Sequence, residues 1–141
     1  MTSIGASGSA YAVDGTAAIY SLNLATGTYS TLTTAPFTVQ AVAFDAVRNR
    51  IYYVEKSAGT SWRIGYYSLA TSTHTTLTNA LNSTTSPFAN GRLMPAQPET
   101  LLFYDNHLYV LRPESTDSVM DVLTITDTAV VRESPSARFD Q

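Results

Sequence analysis

The sequence predicts an all-β protein made of repeated antiparallel units of four strands. Three observations predict it: a strand–turn–strand segment that recurs at a fixed spacing, a composition suited to pleated sheets, and no stretch with helical period. The repeat is the most informative of the three. Residues 22–33, LNLATGTYSTLT, align without a gap on residues 67–78, YSLATSTHTTLT, at a shift of 45 positions. Leu24, Ala25, Thr26, Thr28, Thr31, Leu32 and Thr33 recur as Leu69, Ala70, Thr71, Thr73, Thr76, Leu77 and Thr78. Each copy reads as a strand, a tight Ala-Thr-Gly/Ser-Thr turn and a second strand, which is a hairpin.

A second element also recurs. Residues 44–54, FDAVRNRIYYV, form an apolar strand end, a polar turn and an aromatic strand, and residues 103–111, FYDNHLYVL, repeat them with a shorter turn. Residues 9–14, SAYAVD, are a weaker copy of the second strand alone. Joined together, these elements place the strands of the middle unit near 39–45, 50–56, 62–69 and 73–78. Those of the last unit fall near 100–104, 107–112, 119–126 and 129–133. The first unit has strands near 9–14, 17–24 and 28–33, with its opening strand missing or hidden within Thr2–Ser7. The chain therefore reads as a single β domain, 1–141, of about three repeats (9–33, 39–78 and 100–133). A long Pro-containing loop, 79–99, separates the last two, and a polar tail, 134–141, has no obvious place in a sheet.

Four strands in about 40–45 residues is the size of a β-propeller blade. The segments Ala41-Val42-Ala43-Phe44-Asp45 and Asn49-Arg50-Ile51-Tyr52-Tyr53-Val54-Glu55 resemble the blade opening of the YWTD, NHL and YVTN-type propellers. That resemblance is best over residues 39–78. It implies toroidally arranged sheets and recognition of a protein or glycan on one face. Three blades do not close a ring, since propellers use about four to eight. The expectation is a partial propeller completed by copies of itself or by another structural protein, with a β-sandwich as the alternative packing. An open arc leaves apolar sheet faces at both of its ends. The repeat also predicts that Leu22 and Leu24 face the same environment as Tyr67 and Leu69, because side chains alternate faces along a strand.

Composition narrows the function classes. Only 13% of residues are charged, against about 25% in an average soluble domain. Ser and Thr, roughly a quarter of the 141 residues, supply the polar surface instead. The net charge is −3, and the arginines are scattered, which argues against nucleic acid as a partner because phosphate binding needs clustered cations. The absence of cysteine removes disulfides, thiol catalysis and Cys-based zinc sites. No apolar run approaches the ~20 residues of a membrane helix, so no membrane insertion is expected. The first dozen residues lack the basic and apolar regions of a signal peptide.

No catalytic, cofactor or metal constellation stands out. His74 takes the position of Tyr29 in the repeat and His107 opens a strand, neither with a ligand-spaced partner. Asp45 and Asp105 close equivalent strands, where Asp is a favoured turn residue. A glycoside hydrolase with two facing acids stays open as an alternative. The candidate ligand or partner contacts are Trp62, Arg63 and Tyr66, because a tryptophan beside Gly59-Thr60-Ser61 can stack on a sugar or bury itself in a protein contact. The reading is a non-enzymatic structural or adhesion module that requires no cofactor. A phage or virus particle, or an extracellular surface, is the favoured setting. A glycan-binding lectin of the oligomeric-propeller kind is the rival.

Overall fold

The structure, a computed structural model, describes the backbone at residues 2–4, 8–56, 62–77, 100–114, 116–125 and 130–140, and side chains at 8–55, 64–77, 100–111, 116, 118 and 120–125. Strand-forming residues broken by short turns give three sheets of four strands each. The first holds β1 (Thr2–Ile4), β2 (Ser9–Val13), β3 (Ala18–Asn23) and β4 (Tyr29–Thr34). The second holds β5 (Val39–Asp45), β6 (Arg50–Lys56), β7 (Trp62–Ser68) and β8 (Thr73–Thr76). The third holds β9 (Thr100–Tyr104), β10 (His107–Glu114), β11 (Asp117–Ile125) and β12 (Val130–Asp140). Within each sheet the strands lie in chain order and pair antiparallel. The described residues contain no helix.

The repeat seen in the sequence is a repeat of hydrogen bonds. In the first copy the amide of Gly27 donates to the Asn23 carbonyl at 2.8 Å, and the hydroxyls of Thr26 and Thr28 pair at 2.8 Å. In the second, Ser72 donates to the Ser68 carbonyl at 2.8 Å and Thr71 pairs with Thr73 at 2.7 Å. Gly27 and Ser72 both adopt positive φ, 70° and 55°, which the tight turn requires. The cross-strand register is shared too: Leu22 lies opposite Tyr29, and Tyr67 lies opposite His74.

The sheets stack face to face, and their opening strands β1, β5 and β9 lie side by side. This is the arrangement of blades about an axis. Two apolar cores form where sheets meet. The first junction buries Tyr11, Val13 and Ile19 of the first sheet against Val42, Ile51, Tyr53 and Tyr67 of the second. The second buries Ala43, Tyr52, Val54 and Ile64 against Leu101, Leu108, Val110 and Leu123. Every strand of the second sheet that contributes to both cores sends alternate residues to opposite sides. For example, Ile51 and Tyr53 turn back toward the first sheet, while Tyr52 and Val54 turn forward to the third.

The opening strand of the first unit lies within the segment Thr2–Ser7, at Thr2–Ile4, paired from Thr2↔Ala12 to Ile4↔Ala10. One expectation needs correction. The segment read as a polar tail instead continues β12, which pairs with β11 as far as Asp117↔Asp140. Its pairing skips between Val122↔Glu133 and Met120↔Ala137, so Pro135 falls within the irregularity. A proline lacks an amide hydrogen, and an outer strand with a bulge accommodates that defect. The loop 79–99 lies outside the described residues.

Candidate functional site

Among the described residues, each of the two end sheets packs one face in a junction and has no sheet against the other. We call the side of a sheet toward the following sheet its forward face and the other its rear face. The rear face of the first sheet carries Ala10, Ala12, Tyr20 and Leu22, the residues alternate to the packed Tyr11, Val13 and Ile19. Tyr29, opposite Leu22, is 72% exposed there, and Leu24 is 51% exposed. Leu69, the repeat mate of Leu24, packs against the first junction. The predicted equivalence of Leu22 and Leu24 with Tyr67 and Leu69 therefore holds for direction. It does not hold for burial, because among the described residues no sheet covers the first pair.

Tyr20 and Tyr29 meet edge to face, with ring centroids 5.7 Å apart at 85°. The Tyr20 hydroxyl donates to Asp14 Oδ2 at 3.0 Å, and the Thr16 amide and hydroxyl donate to Oδ1 at 3.0 and 2.6 Å. The Thr16 hydrogen bonds hold the Asp14 carboxyl below its ordinary range, while the bond to Asp14 pushes the Tyr20 phenol up. Ala12, Val13, Asp14, Tyr20, Leu22 and Tyr29 line a groove of about 300 Å³. Apolar walls with one anchored carboxylate suit a side chain or a sugar ring, since both combine an apolar body with polar edges.

The forward face of the third sheet is the second open surface. Register matches Phe103↔Leu108 in this sheet to Phe44↔Ile51 in the second. Tyr109 is thereby the counterpart of Tyr52, Leu102 of Ala43 and Leu111 of Val54. Ala43, Tyr52 and Val54 are fully buried in the second junction, whereas Leu102 is 57% exposed and its neighbour Tyr104 70% exposed. Among the described residues, four large apolar side chains thus stand exposed at the two ends of the stack, Leu24 and Tyr29 at one and Leu102 and Tyr104 at the other.

The residues singled out from sequence lie elsewhere. Trp62 opens β7, opposite Lys56, and Arg63 follows it opposite Glu55; their side chains lie outside the described residues. Tyr66 is half-buried against the second junction, edge to face with Tyr52, and the Arg50 guanidinium sits 4.2 Å above its ring. Tyr20, Tyr29 and Tyr104 were missed as surface aromatics because strand aromatics ordinarily pack in cores. The signal that could have found them is the repeat, since the outermost faces of an incomplete stack have no neighbour.

The buried acids include Asp45, which caps a turn. Its Oδ1 accepts the amides of Val47 and Arg48 at 2.9 and 3.0 Å, and its Oδ2 accepts Arg48 Nη1 at 3.1 Å and the Tyr52 hydroxyl at 3.0 Å. Burial, then the Asp45 charge, pushes the Tyr52 phenol well above its ordinary value. Among the described residues, no group of three or more His, Asp or Glu is gathered so as to hold a metal ion.

No protein-family model matches the chain, and no curated protein matches it. Solved structures do. TolB from Acinetobacter baumannii is 14% identical with a TM-score of 0.58, over 89% of this chain and 29% of that one. A chain of the nidogen/laminin complex is 10% identical with a TM-score of 0.55, over 99% of this chain and 62% of that one. This chain thus spans less than two thirds of the length of either neighbour. Both neighbours are β-propeller proteins, and the chain has the fold of a partial β-propeller: all-β, in antiparallel four-stranded blades.

Proposed function

We propose that this chain is a non-enzymatic interaction module whose working surfaces are the rear face of its first sheet and the forward face of its third. The observation that carries the reading is that Tyr29, Leu102 and Tyr104 stand exposed at positions of a repeat whose inner faces are packed cores. Burying one side chain of this size is worth roughly 1.5–3 kcal/mol, so a protein surface that covers either end gains substantially. The nidogen/laminin complex supports the reading, since there a protein of the same fold associates with another. The four hydrogen bonds that engage Asp45 support a structural role for that acid and weigh against a glycosidase built on it.

Photo-cross-linking tests the proposal. A photoreactive residue at position 29 or 104 should form covalent adducts with protein, and one at the exposed turn residue Val47 should not. A lectin is the second reading, favoured by the Tyr20–Tyr29 pair beside Asp14. A glycan array with wild type, Tyr29→Ala and Trp62→Ala separates the two. Glycan binding lost on Tyr29→Ala or Trp62→Ala, with no protein adduct at position 29, would replace the interaction reading by the lectin.

A further inference from the structure

We infer that the two open faces are each other's partners, and that a second copy of this chain closes them head to tail into a ring of six sheets. The inference rests on the interaction reading above and names the partner. Each internal junction joins the forward face of one sheet to the rear face of the next. Among the described sheets, what is left over is one forward face, on the third, and one rear face, on the first. A second copy supplies the missing mate to both at once. Three sheets in each of two copies make six, within the range of about four to eight blades that closes a ring.

The residues agree with this pairing position by position. On the forward side, Tyr109 stands where Tyr52 stands, and Tyr52 stacks on Phe103 of the following sheet at 5.8 Å between ring centroids. On the rear side, Leu22, Leu24 and Tyr29 stand where Tyr67, Leu69 and His74 stand. Of those, Tyr67 and Leu69 pack in the first junction, and His74 hydrogen-bonds to Thr33 across it. A contact made of Leu102, Tyr104 and Tyr109 against Leu22, Leu24 and Tyr29 thus continues a packing scheme already used twice in the chain. The two contacts are equivalent by a two-fold axis along the ring, so the assembly stops at two copies and leaves no open end.

Sedimentation equilibrium on the purified chain tests the inference with two face variants. Wild type should weigh about twice 15.2 kDa. Tyr29→Arg and Tyr104→Arg alter side chains 72% and 70% exposed, so each variant should keep the wild-type circular dichroism. In a head-to-tail dimer either change damages both contacts, so the dimer dissociation constant of each variant should rise at least tenfold over wild type. An equimolar mixture of the two restores one intact contact and should form dimer where neither does alone. If Tyr104→Arg leaves the dimer intact, or mixing restores nothing, the faces do not pair head to tail. A wild-type monomer at hundred-micromolar concentration overturns closure by a second copy. It leaves the interaction reading standing if position 29 still cross-links to another protein, and overturns both if no adduct forms.

Discussion

Thr33 on β4 and His74 on β8 are joined by a hydrogen bond, Oγ1 to Nε2 at 2.9 Å, across 41 positions of sequence and across the first sheet junction. The other ring nitrogen lies 2.9 Å from the Tyr53 hydroxyl. A neutral imidazole has one donor and one acceptor nitrogen, and a hydroxyl serves either, so both tautomers satisfy the site. Desolvation lowers the His74 pKa, partly opposed by the Glu55 charge.

That shift fixes the sign of a pH effect. The folded state favours neutral His74, so the unfolded chain binds more protons as pH falls. The stabilisation is complete above about pH 6.5, the ordinary histidine value, and is lost as pH drops through the lowered folded value. Thermal unfolding scans from pH 8 down to 4.5 should show the melting temperature falling below pH 6.5. His74→Gln should flatten that part of the profile and cost about 0.5–1.5 kcal/mol at neutral pH for the altered hydrogen bonds. An unchanged profile in the variant would assign the pH dependence to other groups.

Gly65 should not tolerate a methyl group. A Cβ there would lie 2.8 Å from Cε2 of Tyr53 and 3.1 Å from the Thr75 carbonyl oxygen. Tyr53 is fully buried and sits opposite Gly65 in the ladder, so its ring has little room to withdraw. Gly65→Ala should destabilise by about 1–3 kcal/mol, the usual cost of overpacking a core, seen as a lower urea midpoint with an unchanged slope.

Asp45 is the buried corner of the second sheet. Asp45→Ala would remove the acceptor of the Tyr52 hydroxyl and of the Arg48 guanidinium at once. Breaking a buried pair in this way costs about 3–5 kcal/mol. Asp45→Asn keeps an acceptor oxygen and should cost less. Arg48 also donates to the Ile125 carbonyl at 3.4 Å, so hydrogen exchange near Ile125 should quicken in Asp45→Ala more than in Asp45→Asn.

The β9–β10 turn has both central residues at positive φ, Asp105 at 46° and Asn106 at 63°. A two-residue hairpin turn of this kind favours Asn and Gly. Asn106→Gly should be neutral or slightly stabilising, and Asn106→Val should cost about 1–2 kcal/mol. Equal melting temperatures for the two variants would mean that the turn conformation carries little stability.

The strands of the middle unit and their pairing were legible from residues alone. Alternating apolar and polar positions specify a strand with two faces, and the turns at Asn23–Thr28 and Asp45–Arg50 carry their own hydrogen-bonding chemistry, so local information suffices. Thr2–Ile4 was harder to read because three residues beside a Gly/Ala/Ser segment have little propensity of their own; β2 supplies their partners. The second half of β12 was illegible because Pro135 argues against a strand unless the neighbouring ladder skips there, and only the pairing with β11 reveals the skip.

What the sequence by itself determined was the blade: its size, its strand order within the middle unit and the hairpin register repeated at 45 residues. The order of stacking was decided by tertiary structure. A period of two says that Tyr52 and Tyr53 point to opposite sides of their sheet, but not which sheet lies on either side. Packing alone buries Tyr52 against Phe103 and Tyr53 beside His74, and leaves their kind at the ends, Tyr29 and Tyr104, in water. Burial is a property of the neighbour as much as of the residue, and the neighbour of an end sheet is not written in its own strands.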